Sequence, residues 1–207
     1  MKKVDYVLLV VLITILSMSC NSKSVKSNDS SDAEQHMVTP EEVEQQLATV
    51  AEAETILNEM EKSYWSINET KIKSTFETKG YKYFVDSELV GRYYCLKNCK
   101  AQKDIEDYSY SCSVVNSDSL ASAICFVAQG DMYVSAEFTL FSDDVYDMMI
   151  EQAKACGFKV AGPEEKQKYA DYAFVKPDED LIYKGKYYLR TDKAKKRIEI
   201  HYMYSLL

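Results

Sequence analysis

Two kinds of periodicity in this chain of 207 residues predict an α+β fold, an antiparallel sheet with helices packed on one face. Apolar residues recur at helical spacing in Val43–Tyr64 and again in Val145–Cys156. Strict alternation of apolar and polar residues marks Tyr108–Val114 and Arg197–Tyr204 as strands. The order helix, helix, four strands, helix, three strands lacks the βα alternation of a parallel sheet. The strands are therefore expected to pair antiparallel, with the helices gathered on one side.

The first element is not part of that fold. Lys2 and Lys3 precede the apolar run Tyr6–Leu16, and the small residues Ser17 and Ser19 lead to Cys20. A basic start, a short apolar stretch and small residues before a cut are the parts of an export signal. The run is well short of the roughly 20 apolar residues that span a bilayer. Leu16-Ser17-Met18-Ser19-Cys20 resembles the lipobox of bacterial lipoproteins, although its Leu stands four residues before the Cys rather than three. The resemblance implies a mature chain that begins at Cys20, with a diacylglyceryl group on its sulfur. That chain would be held at a membrane of the cell envelope, the outer membrane being favoured. The same residues also satisfy the small-x-small rule of ordinary secretion, and both readings cut before Cys20. Residues 1–19 are thus expected to be a signal, 20–38 a polar tether and 39–207 a single folded domain.

The domain opens at Thr39-Pro40-Glu41-Glu42, which combines an N-cap, a proline at the first helical position and a capping-box glutamate. Val43, Leu47, Val50, Leu57, Met60 and Tyr64 then predict one helix over 40–63. Ser66-Ile67-Asn68-Glu69 reads as a second capping box, opening a helix that ends at Gly80. Leu120–Ala128 and Met132–Phe141 are expected as a hairpin around Gly130-Asp131, with Leu120–Ala128 also returning beside Tyr108–Val114. A two-residue turn sets Cys125 opposite Ala136 and Val127 opposite Val134, keeping Ser135 and Glu137 off the apolar face. Asp143 and Asp144 start the next helix, whose stripe of Val145, Met148, Met149, Ala153 and Cys156 ends at Gly157. Tyr169–Lys176, Lys186–Thr191 and Arg197–Tyr204 complete the strands.

Lys79-Gly80-Tyr81-Lys82 and Cys156-Gly157-Phe158-Lys159 echo one another, each closing a helix before Tyr-rich strands. The tandem helix-then-sheet order resembles in outline the β-lactamase inhibitory proteins, without a shared motif. Gly followed by an apolar residue is also ordinary helix-ending chemistry, so the echo leaves open whether the chain holds two related units.

Composition narrows the function. With 33 acidic against 25 basic residues the chain carries a formal charge of −8, a poor match to nucleic acid. It has no phosphate-binding Gly-rich loop, HExxH, GxSxG or zinc quartet, and no cofactor, metal site or catalytic residue is expected. Cys95 and Cys99 would lie roughly 13 Å apart in one extended strand, too far to share an ion. Cys112 and Cys125 are expected on neighbouring strands, where they would be candidates for a disulfide in an oxidising compartment. The enzymatic alternative is a thiol activated by His201; a purely structural envelope component is the other.

The favoured reading is a non-enzymatic domain that binds a protein, peptide or glycan through an exposed sheet face. Tyrosine is abundant, with 17 residues, and offers a broad apolar ring with a hydrogen-bonding tip. Tyr94 and Tyr188, each the second ring of a doublet, are expected on that face with Tyr133 and the serines Ser109, Ser111, Ser113, Ser122 and Ser135. The glutamates of the first helix and the basic C-terminal hairpin are expected either to face each other or to leave the hairpin open to anionic headgroups or glycans.

Overall fold

The computed structural model describes residues 38–204 apart from 63–65, 86–90, 105–108, 117–119, 130–132, 169–170 and 178–184. The signal and tether readings, Cys20 included, lie outside the described residues, as do Tyr64 and Gly130-Asp131. By its internal contacts Met37–Leu207 forms one unit.

Thr39 caps α1 (Pro40–Gln46) as the sequence indicates: its hydroxyl accepts from the Glu42 N–H and the Glu42 carboxylate accepts from the Thr39 N–H. The single long helix does not form. Leu47 is extended and a second helix, α2 (Val50–Lys62), starts afresh. The cause is another capping box, Thr49-Val50-Ala51-Glu52, in which Thr49 Oγ1 accepts from the Glu52 N–H at 3.2 Å and Glu52 Oε2 accepts from the Thr49 N–H at 2.9 Å. Lysines satisfy the carbonyls exposed at the break. Lys79 Nζ lies 2.8 Å from the carbonyls of both Glu44 and Leu47, and Lys97 Nζ lies 2.8 Å from that of Gln46. The next helix, α3 (Glu69–Glu77), is capped by Asn68, not Ser66; the Asn68 side chain accepts from the Lys71 N–H.

The main sheet contains β1 (Lys82–Val85), β2 (Arg92–Lys97), β5 (Ser122–Gln129), β6 (Tyr133–Leu140), β7 (Lys159–Val160), β8 (Phe174–Pro177), β9 (Gly185–Asp192) and β10 (Arg197–Tyr204). A separate two-stranded sheet pairs β3 (Cys99–Asp104) with β4 (Ser109–Val114). Two further helices, α4 (Asp143–Ala155) and the short α5 (Pro163–Lys168), flank β7 in the sequence. All described pairings are antiparallel, in the spatial order β1-β2-β5-β6-β10-β9-β8-β7.

That order resolves the internal echo at the level of architecture. Each half is a helix followed by four strands in meander order, and the halves join through their last strands, β6 and β10. The two helix ends close alike. Gly80 and Gly157 have positive φ, the Tyr81 N–H donates to the Phe76 carbonyl, and the Phe158 N–H donates to that of Ala153. Both are Schellman closures, with a buried aromatic packed beyond the glycine. The halves differ where the first inserts the β3–β4 hairpin between β2 and β5.

The core lies between the helices and one face of the sheet. Val43, Leu47, Val50, Ala53, Leu57 and Met60 meet Cys95, Ile124, Phe126, Val134, Ala136 and Phe138, continued by Leu189, Ile198, Ile200 and Tyr202. Phe76 sits with its ring 5.8 Å from both Tyr81 and Phe126, a burial worth roughly 1.5–3 kcal/mol. The β5–β6 register is shifted by one residue from the expected one: Cys125 faces Glu137 and Val127 faces Ser135. The shift turns the larger Ile124 and Phe126 toward the helices and leaves Ala123 and Cys125 on the opposite face. Deeper apolar burial thereby outweighs placing Glu137 and Ser135 with those smaller residues.

Candidate functional site

The sheet face away from the helices carries most of the residues singled out in the sequence, but it is not an open platform. Asn98, at positive φ, separates β2 from β3 and starts the hairpin, whose inward residues return to this face. Tyr110 meets Phe84 and Tyr94 edge-on at 5.3 and 4.9 Å, and Phe84 stacks on Tyr94 at 4.9 Å. Tyr94 is consequently 5% exposed. At the other end Tyr172 lies over Tyr188 and His201, with ring separations of 5.2 and 5.4 Å, and Tyr188 is 6% exposed. The expectation that Tyr94 and Tyr188 present their rings to solvent is therefore corrected. Each is the outward ring of its doublet relative to the helices, but both are sealed by elements distant in sequence.

The serines divide. Ser122 faces the helices, where its hydroxyl bonds to that of Tyr81, and Ser135 is buried on the second face. Ser111 and Ser113 are exposed on the outer side of the hairpin, opposite Gln102 and Lys100. Ser109 shares their register and Tyr133 that of Ser135; their side chains lie outside the described residues.

Between the two aromatic clusters runs a charged strip. Glu137 and Glu199 are direct cross-strand partners, an arrangement that repels unless cations intervene. Arg197 lies 3.4 Å from Glu137, Arg190 lies 3.1 Å from Glu199, and His201 Nε2 lies 2.6 Å from Glu199. Burial raises the Glu137 carboxyl above the ordinary range, opposed by Arg197 and reinforced by Glu199. His201, 3% exposed, is thus held by Glu199 beneath Tyr172. Cys125 shares this face but lies two strands away, roughly 10 Å in strand spacing, with Glu137 on the strand between.

The thiols occupy distinct settings. Cys95 points toward the helices and Cys125 toward Tyr94; burial pushes both up to about 12. Cys112 does not neighbour Cys125 in any ladder, because β4 pairs with β3 and β5 pairs with β2 and β6. Its sulfur partner is Cys99, across the hairpin. All five cysteines of the domain are free thiols, and among the described residues no group of three or more His, Cys, Asp or Glu side chains is placed to hold a metal ion.

Among the described residues the basic side chains of the C-terminal hairpin do not pair with the glutamates of the first helix, although Tyr187 of β9 donates to Asn58 of α2. Lys193 and Lys196 pair with Asp147 and Asp143 of α4, while Lys195 pairs with Asp192 of its own turn. The glutamates of α2 are answered elsewhere, Glu52 by Lys79 and Glu54 by Lys176.

Of the residues singled out for binding, those on the outside of the β3–β4 hairpin are exposed. Lys100, Gln102, Ser111 and Ser113 form its exposed rows. Among the described residues β3 and β4 pair only with each other, so each strand presents one edge of backbone N–H and C=O groups. A pocket of about 320 Å³ lies at the hairpin base, lined by residues that include Leu96, Asn98, Cys99 and Val115. Sequence reading missed β3 because Cys99-Lys100-Ala101-Gln102-Lys103-Asp104 has no strong apolar period; its small residues at 99 and 101 are the only inward signal. No protein-family model matches this chain, no curated protein matches it, and no solved structure matches its fold.

Proposed function

We propose that the chain is an exported bacterial lipoprotein, anchored to an envelope membrane through lipid on Cys20, whose domain is a non-enzymatic binder of a protein or peptide. The observation that carries the binding reading is the β3–β4 hairpin, with exposed Ser111 and Ser113 and strands that have no third strand partner among the described residues. An extended segment added to such an edge gains main-chain hydrogen bonds, while the small outward serines leave room for its side chains. The lipobox-like end at Cys20 and the polar residues after it support a tethered head. The burial of Tyr94 and Tyr188 favours a contact on the hairpin over one on the main sheet.

Two measurements test the proposal in the native host. Mass spectrometry of the mature amino terminus should find acylated Cys20, and Cys20→Ser should release the protein from the membrane fraction; a bare Cys20 thiol would sink the anchor. A photo-crosslinking residue at position 111 or 113 should capture an envelope protein or peptide that the same residue at the exposed Thr55 does not. Equal capture at all three positions, or none, would refute binding at the hairpin.

A further inference from the structure

Cys99 and Cys112 lie on adjacent strands of the hairpin, two residues off register, since Cys99 faces Val114 and Ala101 faces Cys112. They share the inward face, and the strong twist of a two-stranded ribbon draws one diagonal pair on each face together. Cys99 and Cys112 occupy one such diagonal, close enough for each thiol to shift the other's ionisation. We propose that Cys99 and Cys112 are a redox-active dithiol that closes a disulfide across the β3–β4 hairpin by exchange with a small disulfide oxidant.

The two sulfurs are unequal. Cys99 keeps its proton, because it is partly buried beside Cys112 and its S–H donates to the Ser122 carbonyl at 3.4 Å. The Cys112 thiol is held below its ordinary value, first by the neighbouring Cys99 thiol and further by Arg197, against burial and Glu137. Cys112 is therefore the attacking thiolate. Its sulfur bonds to one sulfur of the oxidant RSSR, and the second sulfur leaves as thiolate. Cys99 gives its proton to that thiolate and attacks the Cys112 sulfur, closing the Cys99–Cys112 bond and expelling the other RS⁻, which is protonated by solvent. Two electrons pass from the cysteine pair to RSSR, which leaves as 2 RSH. Both thiols are half-buried rather than sealed, and Cys99 lines the pocket at the hairpin base. The hairpin shares no backbone ladder with another strand among the described residues, so it can tighten without shearing the main sheet.

The chemistry is independent of the binding reading, and its test needs only the purified, folded chain. The protein is treated with oxidised glutathione, alkylated in acid, and digested with trypsin and an Asp-specific protease. The latter separates Cys112, in Asp107–Ser117, from Cys125, in Asp118–Gly130. Asn98–Lys100 should be recovered linked to Asp107–Ser117, two hydrogens lighter than the sum of the free peptides. Cys125→Ser should leave that link intact, and Cys99→Ser should strand Cys112 as its glutathione adduct. Linkage of Cys112 to Cys125, or full recovery of alkylated Cys99 and Cys112 after oxidation, would overturn the proposal. An adduct on Cys99 in Cys112→Ser as strong as that on Cys112 in Cys99→Ser would overturn the assignment of the attacking thiolate.

Discussion

Tyr81→Phe tests how the break between α1 and α2 is held to the sheet. The Tyr81 hydroxyl accepts from the Ala48 N–H at 2.8 Å and bonds to the Ser122 hydroxyl, with Tyr81, Ala48 and Ser122 all at or below 3% exposure. One oxygen thus joins the helix break, the start of β1 and the start of β5. Removing it leaves a backbone donor and a serine hydroxyl buried without that partner. A buried group left unsatisfied costs about 1–3 kcal/mol, so the expected loss is about 2–4 kcal/mol. Near the middle of that range, the shift in Tm for a domain of this size is about 6–12 °C. Ser122→Ala keeps the bond to Ala48 and should lose only about 1 kcal/mol. Urea unfolding of the two single variants and the double variant should give a coupling of about 1 kcal/mol, and the Ala48 amide should exchange faster in Tyr81→Phe. A loss below about 0.5 kcal/mol for Tyr81→Phe, or strict additivity with Ser122→Ala, would refute the shared-oxygen account.

Two further perturbations probe the main sheet. Glu137 holds its proton to higher pH in the folded chain than in the unfolded one, chiefly through burial. The folded state therefore binds more protons in that interval, and its stability falls as pH rises from the ordinary carboxyl value through the raised one. Glu137→Gln should remove this slope above the ordinary carboxyl value, read as Tm against pH; parallel curves for variant and parent would count against it. Gly91, before β2, has a φ of +79°, and an added Cβ would collide with the Ala128 carbonyl. Gly91→Ala should lose at least about 1–3 kcal/mol by urea unfolding, and a variant with the parent's midpoint would show that the turn relaxes freely.

What the sequence makes legible here is local. Thr39-Pro40-Glu42, Gly80, Gly157 and the alternation of Arg197–Tyr204 each contain their own signal, and each forms the expected feature. The break at residues 47–49 was also written locally, as Thr49-x-x-Glu52. Yet the apolar stripe Val43, Leu47, Val50 runs across it and reads as one helix. The β5 register is a different failure. Ser122–Gln129 is apolar on both faces, so alternation assigns no inner side, and only the size of Ile124 and Phe126 against their neighbours distinguishes the two. The serines of β4 were correctly separated from Tyr110 and Cys112, and Ser111 and Ser113 are exposed. The burial of Tyr94 and Tyr188 was not legible, because Tyr110 and Tyr172 arrive from elements whose positions no local pattern fixes.

The pairing of the two halves indicates where specialisation in this domain resides. Both halves build a helix, a Schellman end and four antiparallel strands, and both contribute to one core through the same sheet face. Those features are what an α+β layer requires to bury its apolar side, and they say little about activity. The β3–β4 hairpin is different in kind. It is not needed to close the sheet, since β2 pairs directly with β5 beneath it. Nevertheless its outer rows are exposed, its strands have no third strand partner among the described residues, and its inner face carries a diagonal pair of thiols. A fold that spends chain on such an addition concentrates its adjustable surface there. Replacing residues 99–114 by a short Gly/Ser linker should abolish the position-111 crosslink, while the main sheet retains a single cooperative urea transition. Loss of that transition would instead assign the hairpin to stability, through Tyr110 on Tyr94, and remove the reason to look there for function.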